Sequence, residues 1–223
     1  MSLSEHARPP RGRLRADGAG VETVVPLPDT RRTGRSVEDA IVHRRSRREY
    51  DREPLLFREL TQILWASQGV TDRTTGHRAV PSVGATYPLV VYVAAATGGV
   101  RRLDAGVYRY EPVPHALTLV RPGDVHDRLR DAALSQSWVG TVPVAVVVCA
   151  EDERTTARYG ERGRDRYVPM EAGHVGQNLY LQVESLGLAT VAVCAFHDGA
   201  VLDALGAPPT QRPLAIYPVG RRV

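Results

Sequence analysis

The sequence predicts an α+β fold, and three observations carry that prediction. Apolar runs of strand length mix irregularly with helical patterns, without the strict alternation of a doubly wound sheet. Two of the runs, Val142–Ala150 and Leu188–Phe196, are almost wholly apolar, as central strands buried on both faces require. One long helical pattern, Pro169–Leu186, puts Met170, Leu179, Tyr180, Val183 and Leu186 on its inner side and stops at Gly187.

The remaining elements follow in chain order. Residues 1–35 are rich in Arg, Pro and Gly without periodicity and are expected to be a flexible arm, leaving 36–223 as the folded domain. Ser36 with Asp39 three residues on is a capping-box-like helix start, and Val37, Ala40 and Ile41 supply an apolar stripe. If that helix runs through Arg44-Arg45-Ser46-Arg47-Arg48, Arg44 and Arg48 lie one turn apart on the same face, with the Ser46 hydroxyl nearby. Arginines on a core-directed face need anionic partners, and a phosphate would serve. A second helix covers Leu56–Gln68, with Phe57, Leu60, Ile63 and Leu64 inward and Gly69 as its stop. A long loop, 70–88, precedes a buried strand at Leu89–Ala96. Gly106–Tyr110 and Ala116–Val120 form a hairpin around Pro112 and Pro114. Asp124 can cap a helix reaching Gln136. A charged stretch, Glu151–Tyr167, leads to the long helix, and Gly199–Leu205 and Leu214–Val219 supply a short helix and the last strand.

Composition excludes several classes of function. The chain has 223 residues, 43% of them hydrophobic and 24% charged, which suits one globular domain. No run of about 18 apolar residues is present to span a membrane. No apolar stretch follows the basic N-terminus, so no secretory signal is expected. The formal charge is +4, but residues 1–35 hold seven Arg against four acids, and the rest hold 22 Arg against 21 acids. The basic balance therefore gives little support for a nucleic-acid-binding face. All 29 Lys/Arg positions are arginine, so no lysine can act as a Schiff base or general base. Cys149 and Cys194 sit in apolar runs and read as two buried thiols of a cytoplasmic protein, without a disulfide framework or CxxC pair. Glu171-x-x-His174 has half of a di-iron spacing but no second copy, so no metal site is expected. The histidines at 43, 77, 115, 126 and 197 are scattered and read as surface or structural, and Trp65 and Trp138 as core. No GxGxxG, P-loop or nucleophile elbow is present.

Three features remain that ordinary surface turns or helix ends do not jointly explain. They are the arginine cluster at 44–48, the loop Pro81-Ser82-Val83-Gly84-Ala85-Thr86-Tyr87-Pro88, and Glu171-Ala172-Gly173-His174 with Gln177-Asn178. Gly84 frees backbone amides for close approach, and small Ala172 and Gly173 would let a planar group lie against a helix backbone. With LLFRELTQILWASQG, GVYRYEP, HALTLV, YGERG, MEAGHVGQNLYLQ and the terminal YPVG, their order resembles the FMN-dependent nitroreductase superfamily, specifically its azoline-oxidase branch of SagB/ThcOx-type dehydrogenases. The resemblance runs from about Ser36 to Val223.

That resemblance implies a mainly antiparallel central sheet sandwiched by helices, in an intertwined homodimer with FMN at the subunit interface. Carried over by match, Arg44, Arg45, Ser46 and Arg48 would hold the FMN phosphate and ribityl chain. Pro81, Ser82 and Gly84 would come from the other subunit, and Glu171, Ala172 and Gly173 would line the isoalloxazine. Arg222 matches a late basic residue that reaches the phosphate. The resembled oxidases use a Lys-Tyr pair to abstract a proton; here Arg158-Tyr159 stands at the best-matching place, with Arg166-Tyr167 as a second possibility. Arginine is no base at neutral pH, so Tyr159 would take the proton beside the Arg158 cation. The implied reaction dehydrogenates an azoline ring of a peptide or related natural-product intermediate to an azole, with oxygen reoxidising the flavin. An NAD(P)H-dependent nitro or quinone reductase, and a flavin-binding non-catalytic subunit serving a biosynthetic partner protein, are the alternatives.

Overall fold

The computed structural model describes residues 13–17 and 20–223. Its layering follows from strands that are apolar on both faces. In β3 (Leu89–Ala95) and β6 (Val144–Ala150) every residue is buried. Successive side chains point to opposite faces, so such a run demands cover on both sides. Val144, Val146, Val148 and Ala150 enter one core, and Ala145, Val147 and Cys149 enter the other.

Around this pair the sheet is completed by β1 (Arg13–Asp17), β2 (Gly20–Pro26), β4 (Gly106–Glu111), β5 (Ala116–Pro122), β7 (Leu188–Thr190) and β8 (Arg212–Arg221). Among the described residues eight strands lie in the order β1-β2-β5-β4-β3-β6-β8-β7, and each of these strand pairs is antiparallel. One face is covered by α2 (Phe57–Gln68) and α6 (Val168–Ser185), with α1 (Val37–His43) packed on α6. The other is covered by α3 (His126–Ala132), α4 (Ser137–Gly140) and α7 (Asp198–Leu205). α5 (Glu153–Tyr159) and a π-helical stretch, Gly163–Tyr167, fill the charged segment and run directly into α6. The predicted α+β sandwich is the observed one.

Several local expectations are corrected. The predicted arm is partly structured: Val24, Val25 and Pro26 pair with β5, and the Arg31 amide donates to Gln62 Oε1 at 2.9 Å. Backbone pairing to an open sheet edge does not need apolar periodicity, which is why composition missed it. Residues 1–12 and 18–19 of that arm lie outside the described residues. The predicted strand 188–196 stops at Thr190 because, in continued register, it meets Pro218, which has no N–H. The Ala192 amide donates instead to the Tyr180 hydroxyl at 2.8 Å, and pairing returns only at Val193 with Ile216. Cys194 is consequently exposed, whereas Cys149 is buried as expected. The helix begun after Asp124 breaks at Leu134 and Ser135, both at positive φ, and resumes as α4. Met170 is exposed, since it points away from the sheet at the start of α6, and Trp65 and Trp138 are only partly buried. Among the described residues no helix is long and apolar enough to cross a membrane.

Candidate functional site

Three of the candidate residues, Glu171, Ala172 and Gly173, lie on α6. At its N-terminal end Glu171 is buried at 3% exposure, Ala172 is half-buried and Gly173 is exposed. A Cβ added at Gly173 would meet nothing within 4 Å. Tyr180 lies on the same face seven residues on, about 10 Å along the axis at 1.5 Å per residue.

Part of the arginine cluster, Arg44 with Ser46, meets Tyr180, although not as a helix. α1 ends at His43, and Arg44 is extended (φ −54°, ψ 126°). The chain is drawn out of the helix by tertiary pairing: the Arg47 amide donates to Thr190 O at 2.9 Å and the Asp51 amide to Arg221 O at 3.1 Å. Arg44 and Arg48 therefore diverge instead of sharing a helical face. Arg44 lies over the Tyr180 ring at 5.1 Å, and Ser46 Oγ shares a hydrogen bond with Tyr180 Oη at 2.9 Å. Arg48 lies over Trp138 at 5.6 Å. Arg45 folds back to donate to Val42 O and Arg44 O at 2.9 and 2.7 Å, closing the end of α1. None of these three arginines forms an ion pair among the described residues. The apolar stripe of α1 is not core either: Val37, Ile41 and Val42 are 63%, 53% and 62% exposed, and only Ala40 is buried.

Arg222 is tied down elsewhere. It donates to Leu188 O at 3.0 Å and pairs with the buried Glu184 carboxylate, which also takes Arg35 at 2.9 Å. Burial alone would raise the Glu184 carboxyl, but the Arg222 hydrogen bond and the charges of Arg222, Arg35 and Arg47 outweigh it and leave it below the usual range. The phosphate role expected of Arg222 would have to compete with this pairing.

The loop 81–88 meets the other end of α6 within the same chain. Gly84 has φ +61°, and any side chain there would collide with the Tyr159 hydroxyl and come within 3.0 Å of Arg158 Nη1. The tips of the expected proton-abstracting pair thus converge on one glycine. Arg158 lies over the Tyr159 ring face at 5.2 Å, and that ring stacks edge-on against Tyr167 at 5.3 Å. Tyr167, the second possibility, has its hydroxyl engaged by Arg162 Nε at 2.9 Å. Ser82 turns inward, its oxygen accepting the Tyr87 amide at 2.9 Å, whereas Pro81, Val83, Gly84 and Ala85 are exposed.

Sequence reasoning missed two residues that belong to this cluster. Arg78 stacks on Tyr87 at 4.3 Å and donates to Gln68 Oε1 at 3.0 Å. Both face Glu171, whose Oε1 is buried without a hydrogen-bond partner. Burial pushes the Glu171 carboxyl up, and Ser82, Gln68 and Arg78 only partly offset it. Gln68 sits four residues after Leu64 on the inward stripe of α2, and a polar residue there was the available signal.

These features meet the demands of a planar, anionic ligand: a bare helix face at Gly173 and, 10 Å or so further on, cations without carboxylate partners. The model of the nitroreductase family matches residues 41–221. The chain belongs to the nitroreductase family. A nitroreductase-assigned protein of Methanocaldococcus jannaschii is 44% identical over 199 residues, covering 89% of this chain and 96% of its own. The microcin B17-processing protein McbC of Escherichia coli is 28% identical over 154 residues, 68% of this chain and 56% of its own. A nitroreductase structure from Ralstonia eutropha superposes with a TM-score of 0.79 at 28% identity, covering 95% of this chain and 94% of that one. The E. coli microcin synthetase McbBCD complex with truncated pro-MccB17 bound shares the fold, with a TM-score of 0.71 at 24% identity over 82% of this chain and 73% of that one. Family membership makes the protein an oxidoreductase of nitroreductase fold.

Proposed function

We propose that this chain is an FMN-dependent oxidoreductase, acting as a homodimer, that dehydrogenates azoline rings of a peptide or related biosynthetic intermediate to azoles. The observation that carries the proposal is the convergence of Arg158 and Tyr159 on Gly84, in the loop whose Ser82 faces Glu171. The 28% identity to McbC, named for microcin B17 processing, favours a peptide substrate.

In this arrangement Arg44 and Ser46, both at Tyr180, hold the phosphate and ribityl end, with Arg45 at the rim and Arg48 drawn away to Trp138, and Ala172 and Gly173 carry the ring. The outward side of the loop, Pro81 and Gly84 with their exposed neighbours, is presented to the second copy. The exposed Val37, Ile41 and Val42 of α1 are an apolar surface that association would cover. What a bound FMN supplies is a two-electron acceptor, recharged by oxygen. Tyr159 Oη is the group placed to take the ring proton, with the Arg158 guanidinium over its ring at 5.2 Å. The Arg158–Tyr159 contact with the loop fixes where that proton acceptor stands, so correct placement is its main contribution.

The purified protein should be yellow, dimeric and able to consume oxygen with an azoline-containing peptide. Tyr159→Phe should keep the flavin and lose about 100-fold or more in turnover, the usual effect of removing a positioned proton acceptor. A colourless monomer that takes up no added FMN would end the proposal. The second reading, an NAD(P)H-dependent nitro or quinone reductase, is favoured by the name of the M. jannaschii relative. Rapid anaerobic bleaching by NADH or NADPH would decide for it.

A further inference from the structure

Glu171 is a carboxyl in a setting that ordinarily forbids one. Its residue is 3% exposed, and among the described residues its Oε1 has no hydrogen-bond partner. Leaving a buried acceptor unmatched costs about 1–3 kcal/mol, more if it is charged, so neighbouring groups decide which protonation state survives. Those neighbours come from two elements. From α2 comes Gln68, fully buried; from the segment before β3 come Arg78 and Ser82.

Their chemistry is directional. Arg78 donates to Gln68 Oε1, which turns the Gln68 amide nitrogen toward Glu171. That nitrogen is itself buried and unpartnered, and it faces the Glu171 carboxyl. The Ser82 oxygen accepts from the Tyr87 amide, which leaves its O–H free to donate to the carboxylate. Arg78 has no carboxylate within ion-pair distance among the described residues; it faces Glu171, Arg154, Tyr87 and Tyr110. Arg154 is already paired with Glu151. Arg78 is therefore the cation that sets the charge of Glu171. Ser82 links the buried carboxyl to the exposed side of the loop.

We propose that Gln68 and Arg78 are positioning residues that hold Glu171 as the proton-storing group of the site, with Ser82 as its connection to the loop surface. A proton bound at a Glu171 oxygen leaves through the Ser82 hydroxyl and is replaced by the same route, so the carboxyl alternates between acid and carboxylate with no other bond made or broken. The use of that proton in turnover rests on the oxidoreductase role proposed above; the proton store itself does not.

The test is a carbon-13 NMR titration of glutamate side-chain carboxyls in the full chain, with the Glu171 signal assigned by its loss in Glu171→Gln. Glu171 should titrate above the ordinary glutamate value of about 4.3. Gln68→Met and Arg78→Met should each raise it further, by about half a unit or more, because each removes a group that favours the carboxylate. Arg78→Lys, which keeps the charge and loses the fork, should give a smaller rise, and it decides the matter if the Met variants do not fold. A Glu171 midpoint in the ordinary range, or one unmoved by these substitutions, would overturn the proposal whether or not flavin binds. In the flavin-loaded dimer, the pH profile of turnover should shift in Gln68→Met by the same amount as the carboxyl; a shifted carboxyl with an unmoved profile would refute the coupling to turnover.

Discussion

Glu171 and Glu184 sit on the same helix and are equally shielded, at 3% exposure each, yet their carboxyls are driven in opposite directions. At the C-terminal end of α6, Arg222 and Arg35 grip Glu184 and Arg47 adds its charge, so the carboxylate is favoured despite burial. At the N-terminal end a single cation and two neutral donors face Glu171, and burial prevails. Both are closed off from solvent, but Glu171 is set deeper among protein atoms, so greater burial and fewer guanidinium groups act in the same direction there. The C-terminal end is built to be fixed: it joins the 31–36 segment, α6 and the end of β8. The N-terminal end keeps unsatisfied polar atoms next to an open helix face, the mark of a place where something else is meant to bind.

The largest effect should come from emptying the fixed end. Glu184→Gln leaves Arg35, Arg47 and Arg222 facing one another around a neutral amide, and breaking a buried pair from one side typically costs about 3–5 kcal/mol. Arg35 and Arg222 are 38% and 29% exposed, so water screens part of that loss, and about 2–3 kcal/mol is expected in urea unfolding. Glu171→Gln should cost about 1 kcal/mol or less near neutral pH, since the amide replaces a carboxyl whose charge is poorly compensated. Equal costs would erase the contrast.

The contrast sharpens when pH is varied. Glu184 is depressed in the folded state, so its stabilisation is complete above the unfolded value of about 4.3 and is lost as pH falls through the lower folded value. Glu171 is raised, so the folded state binds its proton more tightly. Its favourable contribution is complete below about 4.3 and is lost as pH rises through the higher folded value. Unfolding free energies of wild type minus Glu184→Gln should therefore decline with acid from about pH 4 downward, and wild type minus Glu171→Gln should decline with base from about pH 4 upward. Two slopes of the same sign would mean that one of the carboxyls has been placed in the wrong company.

The sequence made the scaffold legible and the polar detail only in part. Val144–Ala150 could hardly be other than a central strand, since each residue is apolar and both faces need cover. The helix expected through Arg48 failed because Arg47 and Asp51 bond to Thr190 and Arg221, partners no local pattern encodes. Gly84, Glu171 and Gly173 were visible as parts of motifs. Gln68 and Arg78 were not, because each is a lone polar residue whose partner is distant in sequence. Gln68 was the more readable of the two, as a polar residue on an inward stripe.

A further contrast separates two glycines one turn apart on α6, and the stability gain at one of them is the smallest effect expected. At Gly176 a Cβ would collide with the hydroxyl of buried Tyr217, so Gly176→Ala should destabilise by about 1–3 kcal/mol, the usual cost of overpacking. At Gly173 a Cβ meets nothing, and alanine favours a helix over glycine by about 0.5–1 kcal/mol, so Gly173→Ala should make the chain slightly more stable. If the face at Gly173 carries the flavin ring, the same methyl must stand where the ring rests. Gly173→Ala should then pair a small rise in unfolding free energy with a loss of FMN affinity of at least about tenfold, equivalent to 1.4 kcal/mol, measured by quenching of flavin fluorescence. A stabilised variant that binds FMN as the wild type does would move the ring away from the open end of α6 and leave the free oxygen of Glu171 to be explained without it.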